Sequence, residues 1–345
     1  MTTAAWYNRL RTAWERLATR HPQLRWVKKW GISAGSLVSG VLTLLVFRRG
    51  LEYFPWFVGY LLLLWLVGVA LAQVRQGLAA RGRRALSMVV DYTVQTLFHG
   101  LLLFLLPIYY ASTTLTSRNV LFLALLATGA ILTAIDPWYQ VVMLRFRQVE
   151  LLLFGFGLFA SLNVAFPLLG LQSAYALILS GIGSVLALIP VFRRGEHTLW
   201  RTAVIRAGIC AIFVALLLWP MRDWIPPVPL QLARGTFARA VGRLEPEQPV
   251  STLTVDELRS WQGITAFTAI TAPAGLRERI YHVWRKNGAI VARIPLSPIS
   301  GGRPGGFRTY SRKVDMGENP VGAWTVDVLT AHDRLVGRIR LAVTP

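Results

Sequence analysis

Seven apolar runs follow one another along the chain: Gly31–Phe47, Phe54–Ala72, Met88–Tyr110, Val120–Ile135, Leu151–Leu169, Ala174–Phe192 and Ala203–Trp219. Nothing else in the sequence narrows the fold so much. In hydrocarbon a backbone N–H or C=O finds no water, so a spanning segment must satisfy its own hydrogen bonds. An α-helix of roughly 17–25 mostly apolar residues does so. The runs predict a membrane α-helical bundle of about seven spans over residues 31–220, with Gly31–Phe47 and Val120–Ile135 the shortest. The first run is followed by "FRRGLE", without a small-residue cleavage pattern, and reads as an anchor, not a cleaved signal.

Charge sets the orientation. Only 15% of the residues are charged, against about 25% in an ordinary soluble domain, yet the net charge is +21. Such a balance can mark a nucleic-acid binder, but most of the cations before Pro220 flank the apolar runs. With the N-terminus in the cytoplasm, the inner segments hold Arg9, Arg11, Arg16, Arg20, Arg25, Lys28, Lys29, Arg75, Arg81, Arg83, Arg84, Arg145, Arg147, Arg193, Arg194, Arg201 and Arg206, and the outer loops only Arg48, Arg49 and Arg118. Short cytoplasmic loops carry this excess, so topology and anionic lipid account for the charge without nucleic acid. An odd number of spans then puts everything after Pro220 outside. In segment 1–30, Trp6, Leu10, Trp14 and Leu17 share one helical face among arginines, as an interfacial helix does, and Pro22 ends it.

After Trp219 the period changes. Pro226, Pro227 and Pro229 predict a stiff, extended linker over 221–229. From Leu230 to Pro345 the stretches "GITAFTAIT", "RIYHVWRK", "AIVARIPL", "FRTYSRK", "AWTVDVLT" and "VGRIRLAV" alternate or are β-rich, with a hairpin signal at Asn287-Gly288 and a turn at "AHDR". Six or seven short strands in this length predict an all-β antiparallel sandwich, immunoglobulin-like in outline. The single cysteine, Cys210, lies in an apolar run, so no intrachain disulfide supports the sandwich.

The ordered set "FARAVGRLEPEQPV", "ITAFTAI", "HVWRKNGAIVARIPL", "FRTYSRK" and "GAWTVDVL" resembles the uncharacterised bacterial family Domain of Unknown Function 2914, over Gly235–Val343. Where that family carries a tryptophan pair around its Arg-Thr, this chain has Phe307 and Tyr310, and its acidic turn is Leu244-Glu245-Pro246. The resemblance implies a bacterial protein with a polytopic membrane region ahead of the domain, hence a multi-pass protein of the cytoplasmic membrane. It assigns no activity. Its motif positions are His282, Trp284, Gly288, Arg308, Ser311, Lys313 and Trp324, read as structural.

Inside the membrane region, Asp91, Gln95 and His99 recur every four residues and share one face of the third span. Ionisable groups in a span turn inward and mark proton or ion paths, or tie helices together. Asn163 and Arg206 are their candidate partners. "GISAG" at Gly31–Gly35 has the form of a serine-hydrolase elbow, and Ser33 with His99 would be its dyad, but it opens a membrane helix instead of following a strand. In the sandwich, His282 and Trp284 share a strand face, and with His332 the only other histidine there, no metal site is expected. Arg308, Arg312 and Lys313 form a basic strand suited to anionic polymers or to solvent. "GGRPGG" lacks the Lys-Ser/Thr of a phosphate loop, and no dinucleotide or Cys-x-x-Cys motif occurs, so no cofactor is expected. The leading expectation is a non-enzymatic membrane protein whose external sandwich binds an envelope protein or glycan. The alternatives are a transporter or proton-coupled protein using Asp91 and His99, and an intramembrane serine hydrolase using Ser33.

Overall fold

A computed structural model describes Val67 and residues 84–135, 146–192 and 199–345. The 1–30 segment, Ser33 and the first two apolar runs (Val67 apart) lie outside the described residues. Among the described residues six helices precede the β region: α1 (Arg84–Ala111), α2 (Val120–Ala134), α3 (Arg147–Leu168), α4 (Ser173–Leu186), α5 (Ile189–Phe192) and α6 (Trp200–Leu218). The third to seventh runs thus fall on helices. The sixth run is split between α4 and α5 just ahead of Pro190, which has no N–H to donate to the carbonyl of Leu186, four residues back. Among the described residues two segments, 148–168 of α3 and 200–218 of α6, are long and apolar enough to cross a bilayer; the apolar stretches Leu97–Ala111, Val120–Ala134 and Ser173–Leu186 are shorter.

The chain divides into two compact units, one of Met1–Gly50, Leu63–Phe104 and Ala127–Leu153, the other of Leu51–Leu62, Leu105–Leu126 and Phe154–Pro345. In the second unit Phe122 packs against Tyr109, Phe156 and Phe159 with ring centroids 4.9–6.0 Å apart. Helices α4 and α6 meet where Gly181 has no side chain: a Cβ there would lie 2.3 Å from a methyl of Leu218. A small residue is required for that approach.

After a 3-10 turn at Arg222–Trp224 the chain forms antiparallel-rich sheets. One has the order β2 (Glu245–Val250), β1 (Gln231–Gly242), β4 (Ile264–Thr271), β9 (Phe307–Lys313). The other runs β3 (Thr252–Thr254), β11 (Leu335–Thr344), β10 (Gly322–Thr330), β6 (Ile280–Lys286), β7 (Ala289–Pro295), with β3 parallel to β11. A short pair joins β5 (Arg277–Glu278) to β8 (Ile299–Ser300). Both large sheets feed one buried cluster, Phe237, Ile264 and Ala266 from the first and Trp284, Trp324, Val326, Ile339 and Leu341 from the second. Each set lies in one phase of its strands, as the pleat demands.

The six expected strand stretches coincide with β4, β6, β7, β9, β10 and β11, and the turns lie where expected. Asn287 (φ 47°) and Gly288 (φ +88°) link β6 to β7, and Asp333 (φ 61°) lies in the β10–β11 turn. The long strand β1 was not singled out, because Arg234-Gly235-Thr236 interrupts its pattern. Gly235 is needed there: a Cβ would lie 2.4 Å from a methyl of Ile339 on the facing sheet. The supposed acidic turn moves one step. Arg243 and Leu244, both at positive φ, make the β1–β2 turn, while Glu245 and Pro246 begin β2. A two-residue hairpin needs left-handed positions, which fall on the pair before the glutamate.

The proline segment is a further correction. Ile225 to Leu230 are all buried, and the backbone N–H groups of Val228 and Leu230 donate to the carbonyls of Pro226 and Pro227 (2.9 and 3.0 Å). It is a packed turn, not an extended spacer: Leu230 joins a buried cluster with Ile270, Leu276, Ile280 and Val328, and the carbonyls of Ile225 and Pro226 accept from a buried arginine.

Candidate functional site

Of the residues marked by the family motif, His282, Trp284, Ser311 and Trp324 lie in the interior of the sandwich. His282 is fully buried, with Nε2 3.0 Å from the Thr268 hydroxyl and Nδ1 2.8 Å from the Ser311 hydroxyl. Trp284 donates its indole N–H to the same Ser311 oxygen (3.0 Å), and its ring meets Phe237 edge-on at 5.6 Å. Trp324 donates to the Pro320 carbonyl (2.8 Å). Gly288 lies in the hairpin and accepts from Arg285 (3.1 Å). The bonds of His282 and Trp284 tie the two sheets together away from solvent.

Burial pushes the His282 imidazole down from its ordinary 6.5 to about 3. The unfolded chain therefore takes up a proton that the folded chain refuses. Its contribution is complete above about pH 6.5 and is lost as pH falls, at up to ~1.4 kcal/mol per pH unit. Denaturant midpoints of the full-length protein in detergent should fall from about pH 7 to about pH 5, and His282→Gln should show a shallower fall. Identical slopes in the two proteins would refute this role.

The basic strand is engaged with the protein itself. Arg308 pairs with Glu245 (2.5 Å), which also pairs with Arg234 (3.0 Å). Arg312 donates to the carbonyls of Arg239 and Trp261 (3.1 and 2.9 Å). Lys313 is half-buried opposite Ile264 in the β4–β9 ladder. The strand thus holds its own sheet and the loop after β3.

In the helices, Asp91 and Gln95 lie on α1, but their side chains are outside the described residues. His99 is buried, its Nδ1 3.3 Å from the Ala130 carbonyl and 3.5 Å from the Thr133 hydroxyl of α2. Asn163, also fully buried, donates to the Tyr109 hydroxyl (3.1 Å), which donates to the Ala160 carbonyl (3.0 Å). Its partner in the structure is thus Tyr109. Arg206 is exposed on α6.

A cluster that none of these expectations included lies where the sandwich meets the helices. Arg334, in the β10–β11 turn, has a fully buried guanidinium that donates to the carbonyls of Ser173 (2.6 Å), Pro226 (2.8 Å) and Ile225 (3.3 Å). Glu278, also buried, accepts the N–H of Ser173 (2.9 Å). Ser173 opens α4, so the carboxylate lies at a helix N-terminus, where the free N–H groups and the helix dipole favour it. One residue of the helical region is held from both sides, its N–H by an acid and its C=O by a base. Burial lowers the Arg334 guanidinium to about 10, opposed by Glu278 and Asp223 among others. Burial also raises the Glu278 carboxyl, opposed by the Ser173 bond, Arg334 and His332. Among the described residues the Arg334 Nε and the Ser173 hydroxyl have no hydrogen-bond partner. Around the cluster, His332 packs edge-on against Tyr175 (6.2 Å) and Trp219 (5.8 Å).

The signal for this cluster was present but faint. In the alternation of "LRERIYHVW", Leu276 to Trp284, Glu278 occupies the inward phase with Ile280, His282 and Trp284. A carboxylate in that phase requires a buried donor. Arg334 offered no such sign, since "AHDR" reads as a solvated turn.

Among the described residues no group of three or more His, Cys, Asp or Glu side chains is arranged to hold a metal ion. A family model described as a family of unknown function (DUF5924) matches residues 7–266, and one described as a protein of unknown function (DUF2914) matches residues 277–343. No curated protein and no solved structure matches the chain. The resemblance to the second family therefore holds for the C-terminal region, while Gly235–Ala266 fall in the stretch matched by the first. The first model ends inside β4 and the second begins at β5, so their meeting point lies within one folded β region. The buried cluster crosses it: Ser173, Ile225 and Pro226 belong to the first stretch, Glu278 and Arg334 to the second.

Proposed function

The chain belongs to the DUF5924 family, and we propose that it is a multi-pass protein of the bacterial cytoplasmic membrane, of about seven spans, that presents an extracytoplasmic β-sandwich in a fixed pose to an envelope protein or glycan. The observation that carries the membrane reading is the surface of α6. Only 17% of its apolar window is buried, with Val204, Ile205, Ile209, Ile212, Phe213, Leu216 and Leu217 exposed. A core helix of a soluble protein would bury that face. Exposed Trp200 and Trp219 stand at its two ends, roughly 28 Å apart at 1.5 Å per residue. A hydrocarbon core is about 30 Å thick and tryptophans settle at its borders.

The fixed pose follows from the Arg334–Ser173–Glu278 contacts, and the scaffold role from the way the motif residues are engaged in holding the sheets. Non-enzymatic binding fits that use of the polar groups better than turnover does. Orientation rests on the distribution of Lys/Arg in the short loops. Alkaline phosphatase fused after Pro345 should be active and a cytoplasmic reporter there silent; the reverse pattern would put the sandwich inside and end this reading. A photocrosslinker at exposed Tyr310 in the full-length chain should trap an envelope protein or glycan in living cells. A sandwich that crosslinks to nothing from any exposed face would remove the binding role.

A further inference from the structure

The junction carries a second feature, on its outside. Tyr175, Trp219 and Trp224 are exposed there. The Arg222 guanidinium lies 5.0 Å over the Trp219 ring and is steadied by donating to the carbonyls of His332 (2.9 Å) and Trp219 (3.1 Å). Arg277 and Arg279 bracket Glu278, whose carboxylate is anchored inward on Ser173. Strand alternation turns both arginines outward at the same rim, and both are exposed. Among the described residues none of the three is in an ion pair. Acidic groups near the Arg334 turn include Asp223, exposed, and Asp333, paired with Arg293 at 2.8 Å.

We propose that this rim binds the phosphates of anionic phospholipid headgroups in the leaflet facing the sandwich. It rests on the membrane reading above. Guanidinium forks match phosphate oxygens two at a time, and Tyr and Trp rings settle at headgroup depth. The rings thus hold the arginines at the level where lipid phosphates lie, which a soluble polyanion would not require. The lipid would lie beside Arg222, against the outer faces of Trp219 and Tyr175, and would brace the sandwich from outside where Arg334 braces it from within.

The test uses the full-length protein in nanodiscs of phosphatidylcholine mixed with phosphatidylglycerol, with retained lipid identified by native mass spectrometry. Phosphatidylglycerol should be retained preferentially. Arg277→Gln with Arg279→Gln, and the triple variant adding Arg222→Gln, should lower that preference about fivefold per arginine, the equivalent of ~1 kcal/mol each. Arg340→Gln, at an exposed position on β11, should leave it unchanged. No preference in the wild type, equal retention in the variants, or an equal loss in Arg340→Gln would overturn the proposal. So would displacement of the lipid by inorganic phosphate, which would mark a free-phosphate site. Carbonate extraction separates the two readings: a chain released from membranes loses the membrane reading, while a chain that stays bound with no lipid preference loses only this one.

Discussion

Replacing Arg334 with alanine should release the sandwich from the helices. The substitution leaves the Ser173, Ile225 and Pro226 carbonyls without their donor and Glu278 without its neighbouring cation, all in a buried site. Removing one member of a buried charged set costs about 3–5 kcal/mol, because the groups left behind keep their desolvation penalty. The loss should concentrate at the joint. Limited proteolysis of the full-length protein in detergent should cut within residues 225–230, which are buried in the wild type. Arg334→Lys should fall between the two, since an ammonium cannot span three carbonyls as a planar fork does. Glu278→Gln should be the mildest change: it keeps an acceptor for the Ser173 N–H, and burial already disfavours the charged carboxylate. Wild-type protease resistance in Arg334→Ala would show that the joint is held by apolar packing alone.

Trp284→Ala should have the largest effect within the sandwich. The ring is fully buried between the sheets, and its N–H shares the Ser311 hydroxyl with His282. Loss of such a side chain costs about 3–5 kcal/mol, as transfer energy plus a cavity that neighbours only partly fill. Phe237, whose ring meets Trp284 edge-on at 5.6 Å, loses its partner as well. Urea denaturation followed by circular dichroism should show the midpoint falling sharply. Trp284→Phe should recover most of the apolar part but not the bond to Ser311. Ser311→Ala should cost about 1–3 kcal/mol, because it strands the indole N–H and an imidazole nitrogen together. If Trp284→Ala unfolds at the wild-type midpoint, the ring is not part of the shared core.

The strands of the sandwich were legible to the extent that their alternation was unbroken. β6, β10 and β11 alternate cleanly, and Asn287-Gly288 demands a tight turn. β1 was obscured by Gly235, which serves a contact with Ile339 across the sheets. The helices after Met88 were legible because apolar length is a property of each run taken alone. Asn163 illustrates the limit. Its polarity in a run marked it as a tie, but only packing selected Tyr109 as its partner.

Local chemistry dictates the classes of element here: a long apolar run must close its own hydrogen bonds as a helix, and an alternating run buries one side of a pleat. The loop charge behind the proposed orientation is likewise a local signal, because each cation acts near its own span. The joint is different in kind. Arg334 reaches its acceptors across 161, 109 and 108 residues of sequence, and Glu278 reaches Ser173 across 105. No periodicity encodes such distances. A turn arginine looks solvated until a helix end and a proline segment close over it, and then the cost of leaving it unpaired makes it the anchor of the domain.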